Sequence, residues 1–105
     1  MSADLADVML QNTADGVVVV VRGELDVGTV SSLRAALNVA CWDRLGDVVV
    51  DFAAVTFCER HTLGLLSSTH TRLAAGGRGV TVRGARPRQA RLFRLVGLEQ
   101  LLSPV

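Results

Sequence analysis

Residues 16–26 read Gly16-Val17-Val18-Val19-Val20-Val21-Arg22-Gly23-Glu24-Leu25-Asp26. Five consecutive β-branched valines stiffen χ1 and favour an extended backbone. An apolar run without alternation predicts burial on both faces, as in a central strand of an α/β sheet. Upstream, Asn12-Thr13-Ala14-Asp15-Gly16 is turn chemistry, so Val8–Thr13 is expected to pair with the valine strand as an antiparallel hairpin. Downstream, Val30, Leu33, Ala36, Leu37 and Ala40 recur at three and four residues, which predicts an amphipathic helix over Gly28–Trp42. Thr29 or Asp26 is placed to cap it, and Trp42 is expected to close the core edge beneath it.

The pattern then repeats. Asp47–Ala53 is a second Val-rich strand. Thr62–Ala75 is a helix with Leu63, Leu66, His70 and Leu73 on one stripe, stopped by Gly76-Gly77. Gly79–Arg83 is a strand, Pro87 opens a third helix that runs to about Val96, and Gly97 ends it. Leu98, Leu101 and Leu102 form a last turn. The order β-β-α-β-α-β-α predicts an α/β fold: a mixed, mostly parallel sheet of about four strands with three to four helices, in two or three layers.

Length and composition agree with a single domain over 1–105. The chain has 105 residues, half of them apolar and 20% charged, which excludes a disordered chain. The longest apolar run, Val17–Val21, is far short of the roughly 20 residues a membrane span needs. The start carries Asp4 and Asp7 and lacks the basic flank of a secretory signal, so a cytoplasmic location is expected. Two cysteines, Cys41 and Cys58, build neither a disulfide framework nor a zinc site by themselves. A redox bridge between them requires Cα atoms within about 7 Å.

Net charge is only +1, but it is unevenly placed. Residues 1–59 hold nine acids and three arginines; residues 60–105 hold eight arginines and Glu99 alone. A bipolar surface of this kind orients a charged partner. Arg86, Arg88, Arg91 and Arg94 form a basic strip without interleaved aromatic residues, which reads as a solvated helix face and not as a nucleic-acid surface.

Enzyme motifs are absent. There is no Gly-x-Gly-x-x-Gly, no Gly-x-Ser-x-Gly, and no lysine for a phosphate-binding loop. His61 and His70 are nine residues apart, which is not a ligand spacing, and His70 sits on an apolar stripe as a core histidine does. Neither a metal nor another cofactor is implied. The informative segment is Cys58-Glu59-Arg60-His61-Thr62, which joins a parallel strand to a helix. Such loops are where open α/β sheets bind, and the helix N-terminus adds unpaired N–H groups and partial positive charge. Gly23-Glu24-Leu25-Asp26 leaves the neighbouring strand, so Glu24, Asp26 and Glu59 are expected around Arg60 and His61.

Four segments resemble one family. Gly23-Glu24-Leu25-Asp26 and the following Leu33-Arg34-Ala35-Ala36-Leu37 are similar to the opening of STAS domains, the anti-sigma factor antagonists. Val48–Phe57 resembles that family's third strand and the turn leaving it, Gly76–Val80 the turn into its fourth, and Pro87–Leu101 its last helix. The resemblance covers about residues 8–102. It implies a non-enzymatic binding domain that docks on an anti-sigma factor, a small ATP-dependent serine kinase, and so controls sigma-factor-dependent transcription. Partner contacts are then expected at Glu24, Asp26, Glu59, Arg60, His61, Thr62 and Gly64. A weak homodimer is a further option, and a subunit of a transport ATPase or sensory assembly is the alternative function.

The family's switch motif reads Asp-Ser-Ser-Gly-Leu-Gly, with the second Ser as phosphoacceptor. The matching stretch here is Glu59-Arg60-His61-Thr62-Leu63-Gly64. His61 takes the acceptor position, so the ordinary switch is expected to be lost. Thr62 is the alternative acceptor, one residue along and rotated by about 100° on a helix. A third option is that the surface serves an unrelated partner.

Overall fold

The valine run lies inside a four-stranded sheet. The computed structural model describes residues 7–43 and 46–103. Strand β1 (Asp7–Thr13) pairs antiparallel with β2 (Gly16–Leu25), as the hairpin chemistry predicts. Helix α1 (Val30–Asp43) returns the chain to β3 (Asp47–Cys58), parallel to β2. Helix α2 (Arg60–Ala74) leads to β4 (Val80–Arg83), parallel to β3. Helix α3 (Pro87–Leu95) and a 3-10 turn at Glu99–Leu101 bring Leu102 beside Val82 as a last parallel bridge. The sheet order is β1-β2-β3-β4.

Every crossover steps the same way across this sheet, so the right-handed rule puts all three helices on one face. The domain therefore has two layers. Val17, Val19, Val21, Val48 and Val50 face the helices and are essentially inaccessible. On the opposite face Met9, Arg22 and Arg83 are exposed, and Val20, Val49, Asp51 and Thr81 are half-buried. Val18 is the one residue of β2 and β3 on that side that is buried. The expected burial of the valine run on both faces therefore holds fully on the helix side alone. An Asp51–Arg83 ion pair at 3.1 Å bridges β3 and β4 on the open side; exposed pairs of this kind contribute under about 1 kcal/mol.

The helix periodicity is borne out. Val30, Leu33, Leu37 and Ala40 of α1 and Leu63, Leu66 and Leu73 of α2 are buried against the valines. Phe52 meets Phe93 of α3 edge to face, with centroids 6.0 Å apart. His70 is half-buried, and its Nδ1 accepts the Val80 N–H at 3.0 Å, so it fastens α2 to β4. Gly46 has φ +91°, and a Cβ there would collide with the Asp15 carbonyl; only glycine lets the start of β3 pass this close to the hairpin turn.

Two expectations are corrected. Trp42 does not close the core: it is 84% exposed at the end of α1, because Ala40 already completes the buried stripe and Trp42 falls outside it. Strand β3 does not turn away after Ala53 but continues to Cys58. Register shifts between Val20 and Arg22, and again between Gly23 and Glu24, let it stay paired with β2 beyond the point where β4 stops. Such bulges admit extra residues without ending a ladder.

Candidate functional site

The C-terminal ends of β2 and β3 and the N-termini of α1 and α2 meet at one pole. Leaving β2, Asp26 turns the chain: its Oδ1 accepts the N–H groups of Gly28 and Thr29 at 2.9 and 3.0 Å and the Thr29 hydroxyl at 3.0 Å. The Thr29 hydroxyl also lies 2.5 Å from the Glu24 carbonyl, to which it can donate instead. Asp26 and Thr29 thus cap α1 together. Thr29 is buried in doing so, and its role was assigned above only as an alternative to Asp26.

Leaving β3, Glu59 occupies the N-cap of α2 with extended backbone but gives its side chain to another element. Its N–H donates to the Leu25 carbonyl at 3.0 Å, and its Oε1 accepts the Val27 N–H at 3.0 Å. Two hydrogen bonds from one residue therefore tie the β2–α1 loop to the start of α2. The first turn of α2 is left with no side-chain cap and no acid. Its open N–H groups and the macrodipole supply partial positive charge, and Arg60 adds a full one.

Of the seven expected contact residues, six lie at this open pole. Glu24, Asp26 and Glu59 are half-buried; Arg60, His61 and Gly64 are exposed. A Cβ on Gly64 would meet nothing within 4 Å, so this part of α2 is smooth and accessible. The side chains of Arg60 and His61 have no hydrogen-bond or ion-pair partner among the described residues.

Thr62 is a correction. It is fully inaccessible, packed inward beside Leu63, and its Oγ1 is a buried hydroxyl without a partner. The one-residue rotation that separates it from His61 carries it from the surface into the core. It neither lines the surface nor presents an acceptor oxygen to another protein in this conformation.

Sequence reasoning passed over the apolar rim of the pole. Val27 is 74% exposed at the tip of the β2–α1 loop, and Phe57 is 47% exposed near the end of β3. The signal for Phe57 was available had β3 been read to its true end.

The cysteines stand apart. Cys41 lies near the start of β3, where Arg78 donates to its carbonyl and to that of Gly46. Cys58 is at the other end of that strand, paired with Leu25, while Cys41 is near the far end of α1. Both thiols are free, and no bridge between them is possible in one chain. Burial pushes the Cys58 thiol up to about 11, so it is neutral and unreactive at ordinary pH. Among the described residues no group of three metal-ligating side chains forms, and no helix is long and apolar enough to cross a membrane.

Comparison with known proteins places this geometry. A family model described as "Mlab, STAS domain" matches residues 8–103. The anti-sigma-B factor antagonist of Staphylococcus aureus (strain NCTC 8325 / PS 47) is 33% identical over 82 residues, 78% of this chain and 76% of that protein. An anti-sigma factor antagonist from Mycobacterium paratuberculosis superposes with a TM-score of 0.87 at 27% identity, covering 99% of this chain and 90% of the other. The anti-sigma factor antagonist SpoIIAA in its unphosphorylated form shares the fold, with a TM-score of 0.79 at 23% identity over 92% of this chain and 86% of its own.

Proposed function

This chain belongs to the STAS domain family, and we propose that it is an anti-sigma factor antagonist that acts by binding, without turnover, through the pole where Glu59 joins the β2–α1 loop to α2. Its partner is an anti-sigma factor of the ATP-binding kinase type. The relatives named as antagonists support the class of function. The observation that carries the proposal is the open, rigidly tied start of α2, with Arg60 and His61 outward and unpartnered.

The electrostatics of this surface differ from those of a phosphorylatable one. A phosphate would add about −1.5 to −2 charges at neutral pH. Beside Asp26 and Glu59 that would drive an acidic partner away. Arg60 instead adds one full positive charge at the outward start of α2, beside the carboxylates of Glu24, Asp26 and Glu59, and no hydroxyl is presented at the His61 position or its neighbour. The domain therefore holds its partner regardless of kinase activity, and the partner places an acidic group against Arg60.

The test is titration of the purified chain with the ATP-binding anti-sigma factors of its own organism, with ATP present, read by calorimetry and intact mass. Saturable binding to one of them without a mass gain is expected, with at least tenfold weakening by Arg60→Glu at low salt. Binding to none, or a gain of one phosphate, overturns the proposal. So does stable assembly with a transport ATPase in their place.

A further inference from the structure

We propose a second docking site, the groove between the end of β3 and α3, for a segment of a protein partner in which a large apolar side chain is flanked by carboxylates. This site adjoins the pole at Phe57 but contains neither Arg60 nor His61, and it does not depend on what binds there.

The groove exists because β3 outruns β4. Their pairing ends at Asp51 with Arg83, and beyond it β3 keeps only β2 as a neighbour. An uncovered strand edge invites pairing with another chain. Two side chains from the start of α3 cover the first part of it: Arg86 Nη2 donates to the Ala53 carbonyl at 3.3 Å, and Gln89 Nε2 to the Val55 carbonyl at 2.9 Å. Past Val55 nothing from α3 reaches the strand in this way, and a cavity of about 210 Å³ opens between Thr56–Cys58 and the helix.

Helix α3 turns two different faces to its surroundings. Gln89 and Phe93 are buried in the domain. Arg88, Arg91, Leu92 and Leu95 follow one another at three, four and seven residues and line the groove. Leu95 is 75% exposed and Phe57 across from it 47%. Small-molecule sites run to about 300–1,000 Å³; this groove is smaller, the size of one or two protein side chains.

Charge says which partner fits. Arg88, Arg91 and Arg94 have no partner among the described residues, and α3 contains no acid. Arg88 lies in the first turn, where the helix dipole opposes a cation. An apolar floor edged by unneutralised guanidinium groups is complementary to an apolar side chain with carboxylates on either side. Arginine is well suited to this, since its fork grips a carboxylate bidentately.

The experiment uses the uniformly 15N-labelled full chain and three probes: a twelve-residue peptide of alternating Glu and Leu/Phe pairs, the same peptide with Lys for Glu, and sodium decanoate. The acidic peptide is expected to shift the amides of residues 56–58 and 88–95 saturably. Its binding should weaken at least tenfold in Arg88→Glu/Arg91→Glu and in Leu95→Ser. These positions are exposed, and each variant's own amide spectrum reports whether it is folded. Four outcomes overturn the proposal: no saturable shift up to millimolar peptide, equal binding of the Lys peptide, shifts confined to residues 59–68, or decanoate binding the same amides as tightly as the acidic peptide.

Discussion

The Glu59 carboxylate and the Val27 amide, 32 residues apart in the chain, meet at 3.0 Å. An N-cap side chain usually serves its own helix. Here it serves the neighbouring loop, so the two loops of the site are one mechanical unit. Removing that carboxylate should loosen both. Glu59→Ala is expected to cost about 1 kcal/mol in urea denaturation, the usual worth of one hydrogen bond, and Glu59→Gln less than half of that. Equal losses in the two variants would show that the negative charge, and not the acceptor atom, matters.

Thr62 carries a buried hydroxyl with no partner. An unsatisfied buried polar atom costs about 1–3 kcal/mol, and valine has nearly the same shape. Thr62→Val should therefore leave the midpoint of denaturation unchanged or raise it by up to about 1–2 kcal/mol equivalent. A clear loss of stability would mean that the hydroxyl has a partner after all.

Cys58 gives a pH signature. Its thiol is held up to about 11 by burial, whereas an unfolded cysteine ionises near about 8.5. The folded state thus favours the protonated form. The associated stability is complete below about pH 8.5 and is lost as pH rises toward 11. The stability difference between the parent and Cys58→Ala should shrink across that window. At pH 8 iodoacetamide should label half-buried Cys41 well before Cys58, as read by intact mass and peptide mapping.

His70 holds the buried start of β4 through its Nδ1. Replacing it by Phe fills similar space but leaves the Val80 N–H without an acceptor. A loss of about 1–3 kcal/mol is expected, together with faster hydrogen exchange at Val80. Unchanged exchange there would remove His70 from the account of how α2 is fixed to the sheet.

The order and type of every element were legible because the apolar periods are clean: unbroken valines in β2, and three- and four-residue spacing in α1 and α2. What escaped was tertiary. The Ala53-Ala54 pair has weak strand preference, so β3 reads as ended there, although bulged pairing with β2 carries it on to Cys58. Trp42 looks like core by composition, yet the helix stripe is filled before it. At the site, Arg60 and His61 could be placed from the strand–helix junction alone. The inward turn of Thr62 depends on where α2 begins, and helix ends are the least certain part of a sequence reading. The groove beside α3 was hidden for the same reason as the end of β3.

The central ladder joins Val17 to Val48 and Leu25 to Cys58, rungs more than thirty residues apart along the chain. None of these rungs can form until the whole of α1 has been gathered in, and closing such a loop costs entropy before any contact repays it. The β3–β4 rungs, such as Val48 with Val80, span the same length, so the slow step of self-assembly is expected in the two parallel crossovers. Strand β1 and helix α3 lie outside those two crossovers, so substitutions there are expected to hasten unraveling more than they slow assembly.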